Sequence, residues 1–316
     1  MGVATDDALP APRFDRDRER QFGLIDDLLD QFLAAGLRQL PRQQPLLRQH
    51  HHAVQRGPDF QRTALAQKSD RRCFQRVHQQ HEEHAVELYR SVNIEGTLEL
   101  ARSAAAAGVG QFIFVSTVLV HGRSNDGRAP FRESDVLTPR GLYGMSKAAA
   151  ETGLRDLAPS GAMGVTVVRP PLVYGAGAKG NFSLLEKAVT RGIPLPFAAI
   201  QNRRAFLSVG NLTSFILHRL SHPSGKFDIF LVADEEQVST PEFIERLARA
   251  AHTSPRLFRL PVPLLAALLK LSGRKEANDS LLGSLELDVS KALATGWRPQ
   301  ITLDEGLQQA LRPPGS

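Results

Sequence analysis

Only one cysteine, Cys73, stands among the 316 residues. No internal disulfide can form, which fits a reducing compartment and gives a cytoplasmic expectation. Long apolar runs are missing as well. The longest, Leu260 to Leu269, carries Pro261 and Pro263 and falls short of the roughly 20 residues a membrane helix needs. Asp6, Asp7 and Asp15, with no apolar core beside them, leave no secretory signal in view. Glycine is scarce in the first 84 residues. Before position 85 only Gly2, Gly23, Gly36 and Gly57 occur, too far apart to build a phosphate-cradling loop. The β-branched residues of that stretch, Val3, Thr5, Ile25, Val54, Thr63 and Val77, stand singly. Buried parallel strands cannot be written with them.

What fills residues 1–84 instead is Gln, Arg and His, as in Arg42 to His52 and Arg71 to His84. Only Phe22 to Leu33 repeats its apolar positions at helical spacing. His50, His51 and His52, with His78, His81 and His84, invite a metal reading, but structural zinc wants cysteines or a paired spacing that is absent. Solvated histidines and an incidental Cys73 thiol are the expectation, with no metal. The net charge of +6 raises the question of nucleic acid. Much of the basic excess lies in the leader, and no Lys/Arg stripe with interleaved aromatics follows it. Neither a nucleic-acid nor a membrane partner is expected.

From residue 85 onward the pattern changes to alternating helix and strand. Val86 to Gly108 reads as a helix, Gln111 to Val120 as a buried strand, Leu142 to Leu157 as a helix and Gly164 to Val173 as a strand. Shorter elements follow: helix Phe182 to Thr190, strand Arg204 to Val209, helix Leu212 to Leu220, strand Lys226 to Ala233, and a helix announced by Thr240-Pro241-Glu242. Within this frame Tyr143 and Lys147 stand four apart, so on a helix they share a face. A cation beside a phenol favours the phenolate and turns the tyrosine into an acid/base group near working pH.

Four segments accompany the pair in order: Asn93 to Leu100, Gln111 to Gly122, Ala148 to Glu151, and Val165 to Gly177 with its Arg169-Pro170-Pro171 run. From about Val86 to Leu307 the chain resembles the extended short-chain dehydrogenase/reductases, in the nucleotide-sugar epimerase/dehydratase branch that holds UDP-glucose 4-epimerase and the UDP-sugar 4-ketoreductases of surface-polysaccharide pathways. That resemblance implies an α/β Rossmann-like doubly wound parallel sheet, its N-terminal strands missing or replaced, with a small substrate lobe. The expected division is a leader over 1–84, the remainder of the dinucleotide-binding catalytic domain over 85–175, and a mainly substrate-binding lobe over 176–316.

The resemblance also implies roles. Thr117, with Ser116 as the fallback, would hydrogen-bond the sugar hydroxyl or keto oxygen; Tyr143 would exchange its proton; Lys147 would lower the tyrosine pKa and hold the nicotinamide ribose. Asn93 would touch the cofactor, or serve only as a local hydrogen-bonding residue. Pro171 would contribute a backbone contact to the nicotinamide amide, while Asn181, Arg204 and Arg274 would contact the sugar nucleotide. For Arg204 an ordinary salt bridge is the competing reading. The implied cofactor is NAD, with NADP allowed, and the implied partner is a UDP-sugar; a homodimer is left open.

Departures from the family are equally visible. His121 stands where a Tyr is common, Gly210 where an Asp is common, and Leu172 where hexose 4-epimerases place an Asn. The last weakens a strict epimerase and leaves a ketoreductase open. The compositional break near residue 85 has three readings: a shifted reading frame or wrong start, a gene fusion, or extreme divergence. The first is favoured because the family pattern resumes in mid-domain at Tyr89. The expectation is therefore an NAD(P)-dependent UDP-hexose 4-epimerase or 4-ketoreductase; the alternative is an inactive family member or binding module that has lost its cofactor loop.

Overall fold

The computed structural model describes residues 82–158, 162–178, 181–223, 225–271 and 281–312. The leader through residue 81, with the expectations for Phe22 to Leu33, Cys73 and most of its histidines, lies outside the described residues.

The described chain opens with one continuous helical rod in three parts. Helix α1 (Glu82–Tyr89) passes into a π-helical segment (Arg90–Gly96) and on into α2 (Thr97–Ala106). Gly108 ends it with φ +76°, a conformation that suits a residue without a Cβ. Strand β1 (Gln111–Val115) follows, then a 3-10 turn (Val118–Val120) and helix α3 (Gly141–Leu157). The strand expected to run to Val120 thus stops at Val115. Its apolar run continues, but the Thr117 hydroxyl accepts from Leu119 N and turns the chain into the 3-10 segment.

Strand β2 (Gly164–Arg169) and the short β3 (Leu172–Tyr174) come from what reads in sequence as one strand to Val173. Pro170 and Pro171 break it, because neither has an N–H for a ladder. Helix α4 (Asn181–Thr190), strand β4 (Phe206–Ser208), helix α5 (Val209–Ser221), strand β5 (Phe227–Leu231) and helices α6 (Thr240–Ala250), α7 (Val262–Leu271), α8 (Ser290–Ala294) and α9 (Leu303–Ala310) complete the order. Ser239 caps α6, accepting from Glu242 N, and Thr302 with Glu305 forms a capping box on α9.

β1, β2 and β5 make a parallel sheet in that order, and β3 pairs β4 in parallel in a second sheet. Within the stretch after residue 176, β5 returns to the first sheet beside β2. Strand pleating sorts the core. Phe112 and Phe114 pack with Ala150 and Leu154 on one face, while Ile113 and Val115 pack with Phe215, Phe230 and Trp297 on the other. A third cluster joins Tyr174, Phe206, Phe243 and Leu307 around the second sheet. Among the described residues no strand lies on the far side of β1.

Asn211 and Asp234 tie the two sheets to the C-terminal helices. Asp234 accepts from Tyr174 Oη at 2.7 Å, from Ser208 N at 3.0 and 3.1 Å and from Asn211 Nδ2 at 2.7 Å. Asn211 Nδ2 also donates to Ile301 O, while its Oδ1 accepts from Gln300 N and Ile301 N. Every polar atom of this amide is matched in the interior. Asn211→Ala should therefore lower the unfolding free energy by about 2–4 kcal/mol, because it strands several buried partners at once. Urea denaturation measures it, and a loss below about 0.5 kcal/mol would contradict the tie.

Candidate active site

Helix α3 presents Tyr143, Lys147 and Glu151, one turn apart, on a single buried face; they are 4%, 4% and 2% exposed. Gly144 makes the close approach possible, for a Cβ there would sit 3.1 Å from the carbonyl oxygen of Leu119 in the 3-10 turn. Lys147 Nζ donates to Val115 O at 3.3 Å and lies 5.7 Å from the centre of the Tyr143 ring and 4.9 Å from that of Phe114. The ammonium is thus held between the strand end and the phenol's helix.

Thr117 sits just beyond β1 in an extended conformation, where its Oγ1 accepts from Leu119 N at 3.2 Å. As an acceptor there, the hydroxyl retains its own O–H for donation. The end of a parallel strand is where open α/β sheets place ligands. Pro171 lies buried at the corresponding end of β2, and the carbonyl of its neighbour Pro170 accepts from Val118 N at 2.8 Å. Asn93 is buried in the π-helical segment and donates from Nδ2 to Ser146 Oγ at 3.0 Å; that hydroxyl in turn donates to Tyr143 O at 2.9 Å.

Sequence reasoning missed a buried network directly beneath these groups. Glu151 accepts from Ser116 Oγ at 2.5 Å and from Arg169 Nη2 at 2.6 Å and Nε at 3.1 and 3.2 Å. The Arg169–Glu151 pair is 1% and 2% exposed. Arg169 Nη1 lies 2.9 Å from His121 Nε2 and donates to Glu133 O. A guanidinium can only donate, so the imidazole must offer a lone pair at Nε2 and is neutral. Burial first, and the Arg169 charge second, pull the His121 pKa down to about 4. The ring stacks on Phe131 at 5.2 Å. Ser116 is thereby committed to Glu151, which separates it from its neighbour Thr117. The signals were Glu151 four residues after Lys147 and a lone Arg169 closing an apolar strand.

The expected nucleotide contacts Asn181 and Arg204 lie on separate elements. Asn181 is exposed at the first residue of α4. Arg204 is half-buried and donates from Nη1 to Gly283 O at 2.5 Å, and burial pulls its pKa down to about 10. Arg274 lies outside the described residues. No group of three metal-ligating side chains occurs among the described residues, and no described helix is long and apolar enough to cross a membrane.

A parallel sheet flanked by helices, with a buried Tyr-x-x-x-Lys helix at the strand ends, defines a Rossmann-like short-chain dehydrogenase/reductase type of domain. Comparison with known proteins makes the class specific. Residues 74–233 match the NAD dependent epimerase/dehydratase family. A UDP-glucose 4-epimerase of Vibrio cholerae is 40% identical over 243 residues, 75% of this chain and 74% of that protein. A GDP-6-deoxy-D-mannose reductase of Pseudomonas aeruginosa is 27% identical over 229 residues, 70% of this chain and 71% of that one. Among solved structures, Thermus thermophilus UDP-glucose 4-epimerase in complex with NAD shares the fold, with a TM-score of 0.54 at 24% identity over 69% of that chain and 70% of this one. The chain belongs to the NAD dependent epimerase/dehydratase family.

The neutral His121 sets a pH dependence. Its folded pKa near 4 lies below the unfolded value near 6.5, so the stability it contributes is present above about pH 6.5 and drains as pH falls toward 4. Unfolding free energies of the parent and of His121→Gln, measured from pH 7 to pH 4, should diverge. The parent should lose about 2–3 kcal/mol more than the variant. Parallel curves would place no neutral histidine in this network.

Proposed function

We propose that this chain is built to act at C4 of a UDP-hexose, as a 4-epimerase or 4-ketoreductase, with NAD as the expected nicotinamide cofactor and NADP allowed. The observation that supports it most is the buried Tyr143–Lys147 pair held against the end of β1, where Lys147 grips Val115 O. The 40% identity to a UDP-glucose 4-epimerase supports the sugar nucleotide.

The residues present fit one end of the cofactor and not the other. Lys147, Tyr143, Asn93 and the Pro171 backbone gather at the ends of β1 and β2, which suits a nicotinamide and its ribose. For the diphosphate, residues 1–84 offer no glycine loop through which backbone N–H groups could approach closely. When bound, the cofactor supplies hydride acceptance and return at C4. Tyr143 gives and takes the proton at O4, Lys147 favours the phenolate, and Thr117 orients the same oxygen by donating to it. Arg204 acts from a distance as a clamp for the nucleotide diphosphate. The lost-loop reading, a family fold serving only as a binding module, is supported by the same glycine gap and is decided by the same assays.

Three outcomes follow. Nicotinamide fluorescence should report NADH binding only in the millimolar range; micromolar affinity would show that the leader builds a phosphate site after all. At saturating cofactor and UDP-glucose, Tyr143→Phe should lower turnover by about 10²-fold or more with little change in cofactor affinity. Unchanged turnover would remove Tyr143 from the chemistry, and absence of turnover in the parent would favour the binding module. Arg204→Ala should raise KM far more than it lowers kcat, as remote binding common to ground and transition states does. If UDP binds that variant as tightly as the parent, the diphosphate lies elsewhere.

A further inference from the structure

Two successive turns of α3 hold two successive residues at the end of β1. Lys147 Nζ takes the carbonyl of Val115, and Glu151, one turn on, takes the hydroxyl of Ser116 at 2.5 Å. The next residue is Thr117, and one turn back along the helix is Tyr143. Helix and strand are thereby joined in one register, with Val115 held by Lys147 and Ser116 by Glu151. The lock is closed from below, because Arg169, the last residue of β2, forks onto the same Glu151 carboxylate at 2.6 to 3.2 Å. Ser116 N donates to Val168 O at 2.7 Å, so the two strand ends are joined at that level too.

We propose that Glu151 is a positioning residue for proton transfer: through Ser116 and Arg169 it fixes the strand end against α3 and so sets how Lys147 and Thr117 stand relative to the Tyr143 phenol. This rests on the functional reading above for its chemistry, but not for its geometry. Burial alone would not require this arrangement. A carboxylate needs several donors in the interior, and these could come from anywhere. Here they come from the residue preceding Thr117 and from the strand that carries the Pro170-Pro171 break. Loss of the Ser116 hydroxyl leaves the ion pair and the backbone bond from Ser116 N to Val168 O intact but removes the side-chain hold of α3 on the strand end, so Lys147 and the Val115 carbonyl are less firmly fixed relative to each other. The phenolate then loses part of its stabilising cation, and the tyrosine is harder to ionise.

The test uses the full chain labelled with 13C at tyrosine Cζ, which gives three resonances to assign and titrate, for Tyr89, Tyr143 and Tyr174. In Ser116→Ala, which removes one hydroxyl, the Tyr143 midpoint should rise by about half a unit or more while the fold persists by circular dichroism. Ser116→Thr, which keeps a hydroxyl for Glu151, should leave the midpoint near the parent's, and a rise as large as in Ser116→Ala would overturn the proposal. A merely structural role lowers the melting temperature and leaves the Tyr143 midpoint in place; that result overturns the proposal. Turnover is read alongside. If the parent is active, kcat in Ser116→Ala should fall about 10-fold with KM within about twofold; an equal change in both overturns the positioning role. If the parent shows no turnover, the functional reading fails while the titration still decides the lock.

Discussion

The organisation of this site depends on one buried ion pair, Arg169 with Glu151, placed where three elements meet. Two charges taken out of water lose much of their solvation, and their attraction offsets that loss only when the remaining donors and acceptors are matched. Here the carboxylate meets a bidentate fork and a serine hydroxyl, and the spare guanidinium nitrogen meets a neutral imidazole and a carbonyl. Removing either partner would leave an uncompensated charge at the centre of the domain. The pair therefore enforces specificity of arrangement: α3 packs on β1 and β2 in the one register that satisfies both ions.

The groups proposed for proton transfer share that register. Tyr143 and Lys147 extend the face that Glu151 anchors, and Thr117 extends the strand that Ser116 anchors. The π-helical segment contributes from the other side, since its extra residue per turn brings Asn93 against Ser146 and through it to the carbonyl of Tyr143. Farther out, Asn211 and Asp234 do comparable work for the second sheet. Tyr143 and Lys147 are thus carried on a helix, while Thr117 stands in the turn just beyond β1.

Much of this was legible in the residues. The Tyr143–Lys147 spacing identified the helix that carries the pair, the Thr240-Pro241-Glu242 start signal marked α6, and the apolar runs located β1, β2 and β5. The strand ends were not legible, because what stops β1 is a side-chain bond from Thr117 to the backbone two residues on, which an apolar run does not display. The break between β2 and β3 was written plainly in Pro170 and Pro171 but reads as a strand if hydrophobicity alone is followed. The network escaped for a different reason. Ser116, His121, Glu151 and Arg169 are separated by up to 53 residues in sequence, and only the packing of α3 across two strands makes them neighbours. His121 in particular reads as an exchange for tyrosine, whereas in the fold it is the lone-pair donor that completes the guanidinium's shell.

The central claim, that the ends of β1 and β2 beside α3 receive a sugar oxygen for proton transfer, is tested most directly by a crystal structure of the chain soaked with a UDP-4-keto-hexose. The account predicts the sugar's O4 within about 3.2 Å of both Thr117 Oγ1 and Tyr143 Oη, the donor–acceptor reach of an acid/base contact. The account is contradicted if the sugar instead occupies the separate surface hollow lined by Arg132, Glu133, Phe227 and Lys291 along the outer edge of β5, with the Tyr143 face empty.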